Sequence, residues 1–541
     1  MKQQYPATAL VLLVLTLLGF FVFPGHTWLQ SDTQIYAPML DRMMDPALFP
    51  KDELALRPHV TWTLYDEIAI ALRHLTGADF QYVLGAQQLV FRFVGLAGAF
   101  LLAQALGLSL SAALFAAGCF GLGAVINGPA VLTLEYEPVP RAFAVLLLMG
   151  AFGCAANRYW RASALLAFLA TIYHPTSTAP FWACAALYFL VSRSRKELWP
   201  LAAACAAAVA TVLLCAVFQH GETERQIWFG MIPARLEAIQ KFRGMYNWIQ
   251  FWPRPWFWQY PVLLLFAGGA WLRIRPLLSA EARFFTLAVA AYGMVMVPLQ
   301  YLLLDVGKWI LMPQFQPARA VLFITAMAVM LGAAAGWHAA SAGHRLEAFG
   351  WFAVVFAIPT NGLVVQLFTQ PDTRKLPLVL ALSVLALLAV KWPPSAVLVP
   401  AAAIFLIPGI GGVRNYPVLH TAPLRALSSW ASTSTPLEAT FLFADVGHGL
   451  QPGVFRNDAK RSIYVDWKGG GQANLLENFA DLWWKRWNEV HEAKLPLLPL
   501  EQYRTMGVDY IVIRPANRPP SVTAVYSNSD WAVVPTRPPA Q

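Results

Sequence analysis

The sequence predicts an α-helical integral membrane protein of about 13 transmembrane helices, with a small C-terminal α/β domain outside the membrane. Three observations predict this. Of the 541 residues, 58% are hydrophobic and only 13% are charged, about half the charged share of a soluble domain. The apolar residues gather in runs of roughly 17–22, long enough to cross a bilayer. Residues 410–541 break that pattern with short β-like runs around one helical stretch.

The first run, "TALVLLVLTLLGFFVF" (8–23), has no small-residue cleavage site after it and reads as a retained span rather than a signal peptide. Further spans are expected at 84–106, 109–127, 138–156, 162–174, 177–192, 198–218, 256–272, 284–304, 319–338, 347–368, 376–391 and 394–409. The net charge of +10 falls largely in short loops. "ANRYWRA", "SRSRKE", "RIRPLLSAEAR" and "GHRLE" carry the arginines and lysines, whereas "NGPAVLTLEYEP" and "HPTSTAP" carry none. The positive-inside rule then puts the N-terminus in the cytoplasm, and an odd span count puts the C-terminus outside. "TQPDTRK" (369–375) breaks the rule. No basic stripe with interleaved aromatics points to nucleic acid. The five cysteines all lie in apolar runs, which excludes a disulfide-stapled ectodomain or a Cys-rich metal site.

The membrane domain thus covers 1–409, with outer loops at 25–83 and 219–255, and the outer α/β domain covers 410–541. In loop 25–83, "TQIYAPMLDRMM" and "LYDEIAIALRHL" repeat apolar residues at helical spacing and read as interfacial amphipathic helices. "YNWIQFWPRPWFWQY", at the end of loop 219–255, reads as an aromatic belt or a groove lining. In the tail, "TFLFAD", "SIYVDW" and "DYIVIR" are β-like, and "NLLENFADLWWKRWNEV" is helical. "WKGGGQ" (467–472) lacks any nucleotide-binding spacing and reads as a structural turn.

Chemistry concentrates at the outer rim. Asp32 follows the first span closely, and Glu135 and Glu137 lie in the second outer loop. A carboxylate there can act as general base toward a hydroxyl, or hold a divalent metal against a phosphate. Ser31 or Asp32 can equally cap the helix that follows. Arg57, Arg141 and Arg319 sit on the same side; arginine at a span edge snorkels to headgroups or binds phosphate bidentately. Arg92 lies inside the second span, where a charge is costly. His174, before Pro175, marks an outer hairpin turn.

An acid soon after the first span, two helices in the first outer loop, an acid in the second and an outer C-terminal domain together resemble the GT-C superfamily of membrane glycosyltransferases. Two departures stand out. Asp32 is followed by Thr33 rather than a second acid, and "ADLWWKRW" is not the "WWD" signature of oligosaccharyltransferases. The tail, with "VFRNDAKRSIYVDWKGG", is similar to those of uncharacterised bacterial membrane proteins.

The resemblance implies sugar transfer from a polyprenyl-phosphate donor to an envelope glycan, lipid or protein acceptor, at the periplasmic face of a bacterial inner membrane. It implies that Asp32 and Glu137 are catalytic or hold Mg2+ or Mn2+. Arg57, Arg141, His174 and Arg319 would bind substrate. The alternative is a non-catalytic, polymerase-like or flippase-like component of envelope glycan assembly. Membrane lipids are expected partners, and nucleic acid is not.

Overall fold

The computed structural model describes residues 4–57, 62–192, 195–218, 227–360, 373–410, 419–491 and 497–537. Each of the thirteen apolar runs holds an α-helix, from Gln4–Phe21 to Leu398–Gly409. The part of the run 347–368 beyond Thr360 lies outside the described residues. Among the described residues, four segments are long and apolar enough to cross a membrane: Phe80–Ala105, Arg195–Phe218, Ala280–Val306 and Met312–Ser341. Leu110–Gly121 is shorter than its run suggested. The chain turns there into a small antiparallel hairpin of β1 (Val125–Ile126) and β2 (Val131–Leu132).

Val321–Ser341 is buried along nearly its whole length, because Ala, Gly and other small residues let its neighbours close in on every side. Phe80–Ala105 and Pro140–Ala156 approach most closely at glycines. A Cβ on Gly98 would sit 2.4 Å from Gly150 Cα, and one on Gly153 would sit 2.2 Å from the Gly98 carbonyl oxygen. Arg92, a functional candidate from sequence, is a structural clamp. Its guanidinium donates to the carbonyls of Gly19, Gly25 and Glu135 at 3.0, 2.6 and 2.7 Å, tying the end of the first helix to the loop before Pro140.

The two helices of loop 25–83 form where the spacing placed them, as Thr33–Met44 and Tyr65–Thr76. The first is not an interfacial helix, since every residue from Thr33 to Leu40 is buried. It lies against the tail helix Gln451–Ala459. In the aromatic segment, Trp248 and Trp252 are buried in the protein and Trp258 is exposed, so only part of it can serve as a belt.

The tail forms one five-stranded sheet, in the order β4 (Ser462–Ile463), β3 (Thr440–Phe443), β5 (Tyr510–Ile513), β7 (Ala532–Pro535) and β6 (Tyr526–Ser527). β3 runs parallel to β4 and β5, and β7 antiparallel to β5 and β6. Strand residues alternate between two cores. Phe441, Phe443, Val512 and Val533 pack toward Gln451–Ala459 and Ala422–Ser434. Leu442, Ile511, Ile513 and Val534 pack toward Glu477–His491. The expected strands and long helix are present; β6, β7 and two shorter helices have no strong periodicity and were not legible. A buried ion network ties this tail to loop 25–83: Arg456 donates to Asp52 and Asp466, at 2.7 Å each, with all three side chains 4% exposed or less.

Candidate functional site

The site begins with a helix that is capped from elsewhere. The backbone amides of Gln30, Ser31, Asp32 and Thr33 donate to the Glu137 carboxylate at 2.8, 2.8, 2.6 and 3.4 Å, and Thr33 Oγ1 donates at 2.5 Å. An anion here satisfies amides that a helix start leaves without partners. Asp32 is the N-cap residue by position, but its side chain makes no cap hydrogen bond. The capping reading of Asp32 is therefore corrected: Glu137 does that work, and the Asp32 carboxylate is turned elsewhere.

It turns toward two cations. Arg141 Nη2 donates to Asp32 Oδ2 at 2.8 Å, and Lys468 Nζ pairs with Oδ1. Arg141 Nε also donates to Glu135 Oε1 at 2.7 Å, and Lys468 donates to Ser31 Oγ at 2.8 Å. Burial would push the Asp32 carboxyl up, but Lys468 and Arg141 outweigh it and hold the group well below the usual carboxylate range. Glu137 moves the other way. Burial and then the Asp32 charge push it up, against the donors that surround it.

These groups line a cavity of about 290 Å³. Its walls converge from one end of the helix bundle: the turn after the first helix, the loop before Pro140, the turn at His174 and the segment before Val321. Arg243 and Tyr246 add to one side. The tail contributes Lys468, Gly471 and Asn474 through the glycine-rich turn. That turn must be glycine-rich because a Cβ on Gly470 would sit 2.4 Å from Trp483 Cε2. The structural reading of "WKGGGQ" was thus incomplete, since the turn also delivers Lys468.

Several polar atoms around this cavity lack protein partners. Arg319 Nε, Gln316 Oε1 and Asn474 Oδ1 are buried with no hydrogen-bond partner. Gln316 is also held in the left-handed region, at φ 48°, a conformation a non-glycine residue keeps only where its surroundings impose it. Buried polar groups are normally satisfied, so this side of the cavity has hydrogen-bonding capacity in reserve. Arg243 is better occupied; its Nε donates to the Trp467 carbonyl at 2.7 Å and its guanidinium lies over the Trp467 ring.

Of the residues expected from sequence, Asp32, Glu137, Arg141, His174 and Arg319 all border this cavity. Arg57 does not. It pairs with Glu53 at 2.5 Å and lies over Phe479, away from the other residues expected to bind substrate. His174 Nδ1 accepts from the Ser177 amide at 3.3 Å, so the ring also starts the helix Pro175–Val191. Sequence reasoning missed Lys468, Arg243, Gln316 and Asn474 as site residues; a basic residue before three glycines was the only local signal for Lys468.

The Mg2+ or Mn2+ ion expected at Asp32 and Glu137 does not fit these donors. Glu137 is saturated by amides and a hydroxyl, and Asp32 faces two cations that a metal would have to displace. Among the described residues, no group of three or more His, Cys, Asp or Glu side chains is placed to hold a metal.

No protein-family model matches this sequence, and no curated protein matches it. Solved structures do. ArnT from Cupriavidus metallidurans in the apo state matches at 13% identity and a TM-score of 0.49, over 99% of this chain and 98% of that one. The arabinofuranosyltransferase AftD from Mycobacteria matches at 14% and 0.46, over 95% of this chain, which spans only 35% of AftD. The Archaeoglobus fulgidus oligosaccharyltransferase matches at 11% and 0.40, over 94% of this chain and 68% of that one. Likeness at this level assigns no role to any residue here.

Proposed function

We propose that the protein transfers a sugar from a polyprenyl-phosphate donor to an acceptor hydroxyl on an envelope glycan, lipid or protein. The observation that carries this reading is the pairing of Asp32 with a cation-rich cavity wall whose Arg319 Nε is buried without a partner. A phosphate is the ligand such a guanidinium fits best, through parallel N–H bonds. The cavity holds Arg141, Arg243, Arg319 and Lys468 around Asp32, Glu135 and Glu137.

In this reading Arg319 and Arg243 orient the donor phosphate. The acceptor hydroxyl donates its hydrogen bond to Asp32. Its oxygen attacks the anomeric carbon, the bond from that carbon to the phosphate oxygen breaks, and the electron pair leaves with the polyprenyl phosphate. Asp32 takes the proton. Its low proton affinity suits a group that starts charged. As charge develops on the leaving phosphate, Lys468 and Arg141 are drawn toward it and release Asp32 to become a better base. Glu137 is a positioning residue, holding the amides of residues 30–33 and through them the angle of Asp32.

The membrane arrangement belongs to the same proposal: thirteen spans, residues 1–409 in a bacterial inner membrane, and residues 410–541 on the periplasmic side. One observation favours a second reading, a scaffold in envelope glycan assembly without catalysis: both Asp32 oxygens already have cationic partners. Proteoliposomes carrying the purified chain and a radiolabelled polyprenyl-phosphate sugar separate the two. Release of free polyprenyl phosphate, dependent on an added hydroxyl acceptor, is expected. A stable chain that releases none from any such donor would leave the scaffold.

A further inference from the structure

The segment Thr27–Asp32 is a wall with two sides. Ser31 and Asp32 line the central cavity. Thr27, Trp28 and Gln30 line a second, more open groove of about 770 Å³, within the roughly 300–1,000 Å³ of small-molecule sites. The helix Ala422–Ser434, His420 just before it, His26, Gln81 and Asp458 also line this groove. Gln30 ties its two faces together. Its side-chain oxygen accepts from the Leu419 amide at 3.2 Å, and its own amide donates to Glu137 at 2.8 Å.

The lining differs in kind from that of the central cavity. Among the described residues it carries one arginine, Arg425, and one aspartate, Asp458, so their fixed charge is balanced. Its polar groups have both hydrogen-bonding senses. His420 Nε2 donates to the Trp28 carbonyl at 2.6 Å, which leaves Nδ1 as an acceptor. Ser429 and Ser432 are exposed one turn apart on the same helix, and the exposed Gln81 amide can both donate and accept. Thr27 Oγ1 is buried in the wall without a partner. Among the described residues, no aliphatic side chain lines the groove, and Trp28 supplies the one aromatic ring outside the histidines. A phosphate needs unbalanced cations and a lipid chain needs apolar walls. A hydroxyl-rich, uncharged molecule matches these groups.

We propose that this groove binds a neutral oligosaccharide, the part of a glycan remote from its reacting end. The proposal rests on the glycan-transfer reading for the identity of that glycan. It deepens that reading by giving the acceptor a holding site separate from Asp32.

The test uses the full-length chain in detergent on a glycan array of neutral, acidic and phosphorylated oligosaccharides. Neutral glycans of two or more sugars are expected to be retained. Ser429→Trp, which fills the groove from an exposed position, should weaken retention by about tenfold or more. Thr433→Trp, on the same helix but outside the groove, should not, and neither should Asp32→Asn. Glycan retention by a wild-type chain that shows no transfer activity would count against the catalytic reading alone. Retention of no neutral glycan, retention of phosphorylated glycans only, or equal retention by Ser429→Trp would overturn the groove assignment.

Discussion

Arg141 holds two carboxylates at once, with Nη2 2.8 Å from Asp32 Oδ2 and Nε 2.7 Å from Glu135 Oε1. It joins an acid of loop 25–83 to one of the loop before Pro140, and Lys468 of the tail closes on Asp32 from the other side. Three separate stretches of chain therefore fix one carboxylate, and its surroundings supply the predictions that follow.

Asp32→Asn keeps the size of the side chain and removes its charge and basicity. Because the Asp32 side chain caps nothing, the helix Thr33–Met44 should form normally and the chain should reach the membrane at wild-type levels. Transfer should fall by about 10²-fold or more, the usual scale for a positioned acid–base group. Full complementation of a deletion strain by this variant would remove Asp32 from catalysis.

Arg319→Lys preserves a positive charge but not a planar fork of donors. If Arg319 binds the donor phosphate, the donor KM should rise by roughly tenfold with little change in protein level. Steady-state kinetics with purified protein decide this. An unchanged KM would mean that a point charge suffices and that bidentate binding is absent.

Arg456→Ala leaves Asp52 and Asp466 as buried, unpaired carboxylates. Breaking a buried pair this way costs about 3–5 kcal/mol, so the thermal midpoint should drop sharply. Asp466 also accepts the Gly469 amide, next to Lys468. Any folded fraction should therefore show reduced transfer as well. A variant with wild-type melting would show that the network is not what joins the tail to loop 25–83.

His491 gives a pH dependence. Burial, and then the nearby charge of His448, lower it to about 4, whereas an unfolded imidazole titrates near 6.5. Between those values the unfolded chain binds the extra proton. This group's contribution is therefore complete above about pH 6.5 and falls as the pH drops toward 4, by at most about 1.4 kcal/mol per pH unit. His491→Phe keeps the aromatic contact with Trp487, at 4.1 Å between ring centroids. The variant should melt less differently between pH 7.5 and 5 than the wild type does. Parallel shifts in both proteins would exclude His491 as the source.

The topology can be read with fusions. A reporter active only in the periplasm, placed after Gln541, should be active, and its cytoplasmic counterpart silent. The opposite result would put the Lys468 turn, and the cavity with it, on the cytoplasmic face.

What the sequence determined by itself was everything that repeats locally. Apolar runs located the helices, period-two and helical spacing located β3, β5 and Glu477–His491 in the tail, and the rim acids Asp32 and Glu137 and the basic Arg141 and Arg319 were visible as charges in a chain with few of them. Roles were a different matter. Glu137 reads as a catalytic acid until the amides of residues 30–33, more than a hundred positions away, are found around it. Asp32 reads as a helix cap until Glu137 occupies that place. Lys468 is 436 positions from Asp32, and nothing in "WKGGGQ" names its partner. Arg57 looked equivalent to Arg319, yet one is paired and the other has a buried nitrogen without a partner. A side chain's type and spacing follow from local sequence, but its free energy depends on which charges and dipoles surround it, and packing between distant segments decides those.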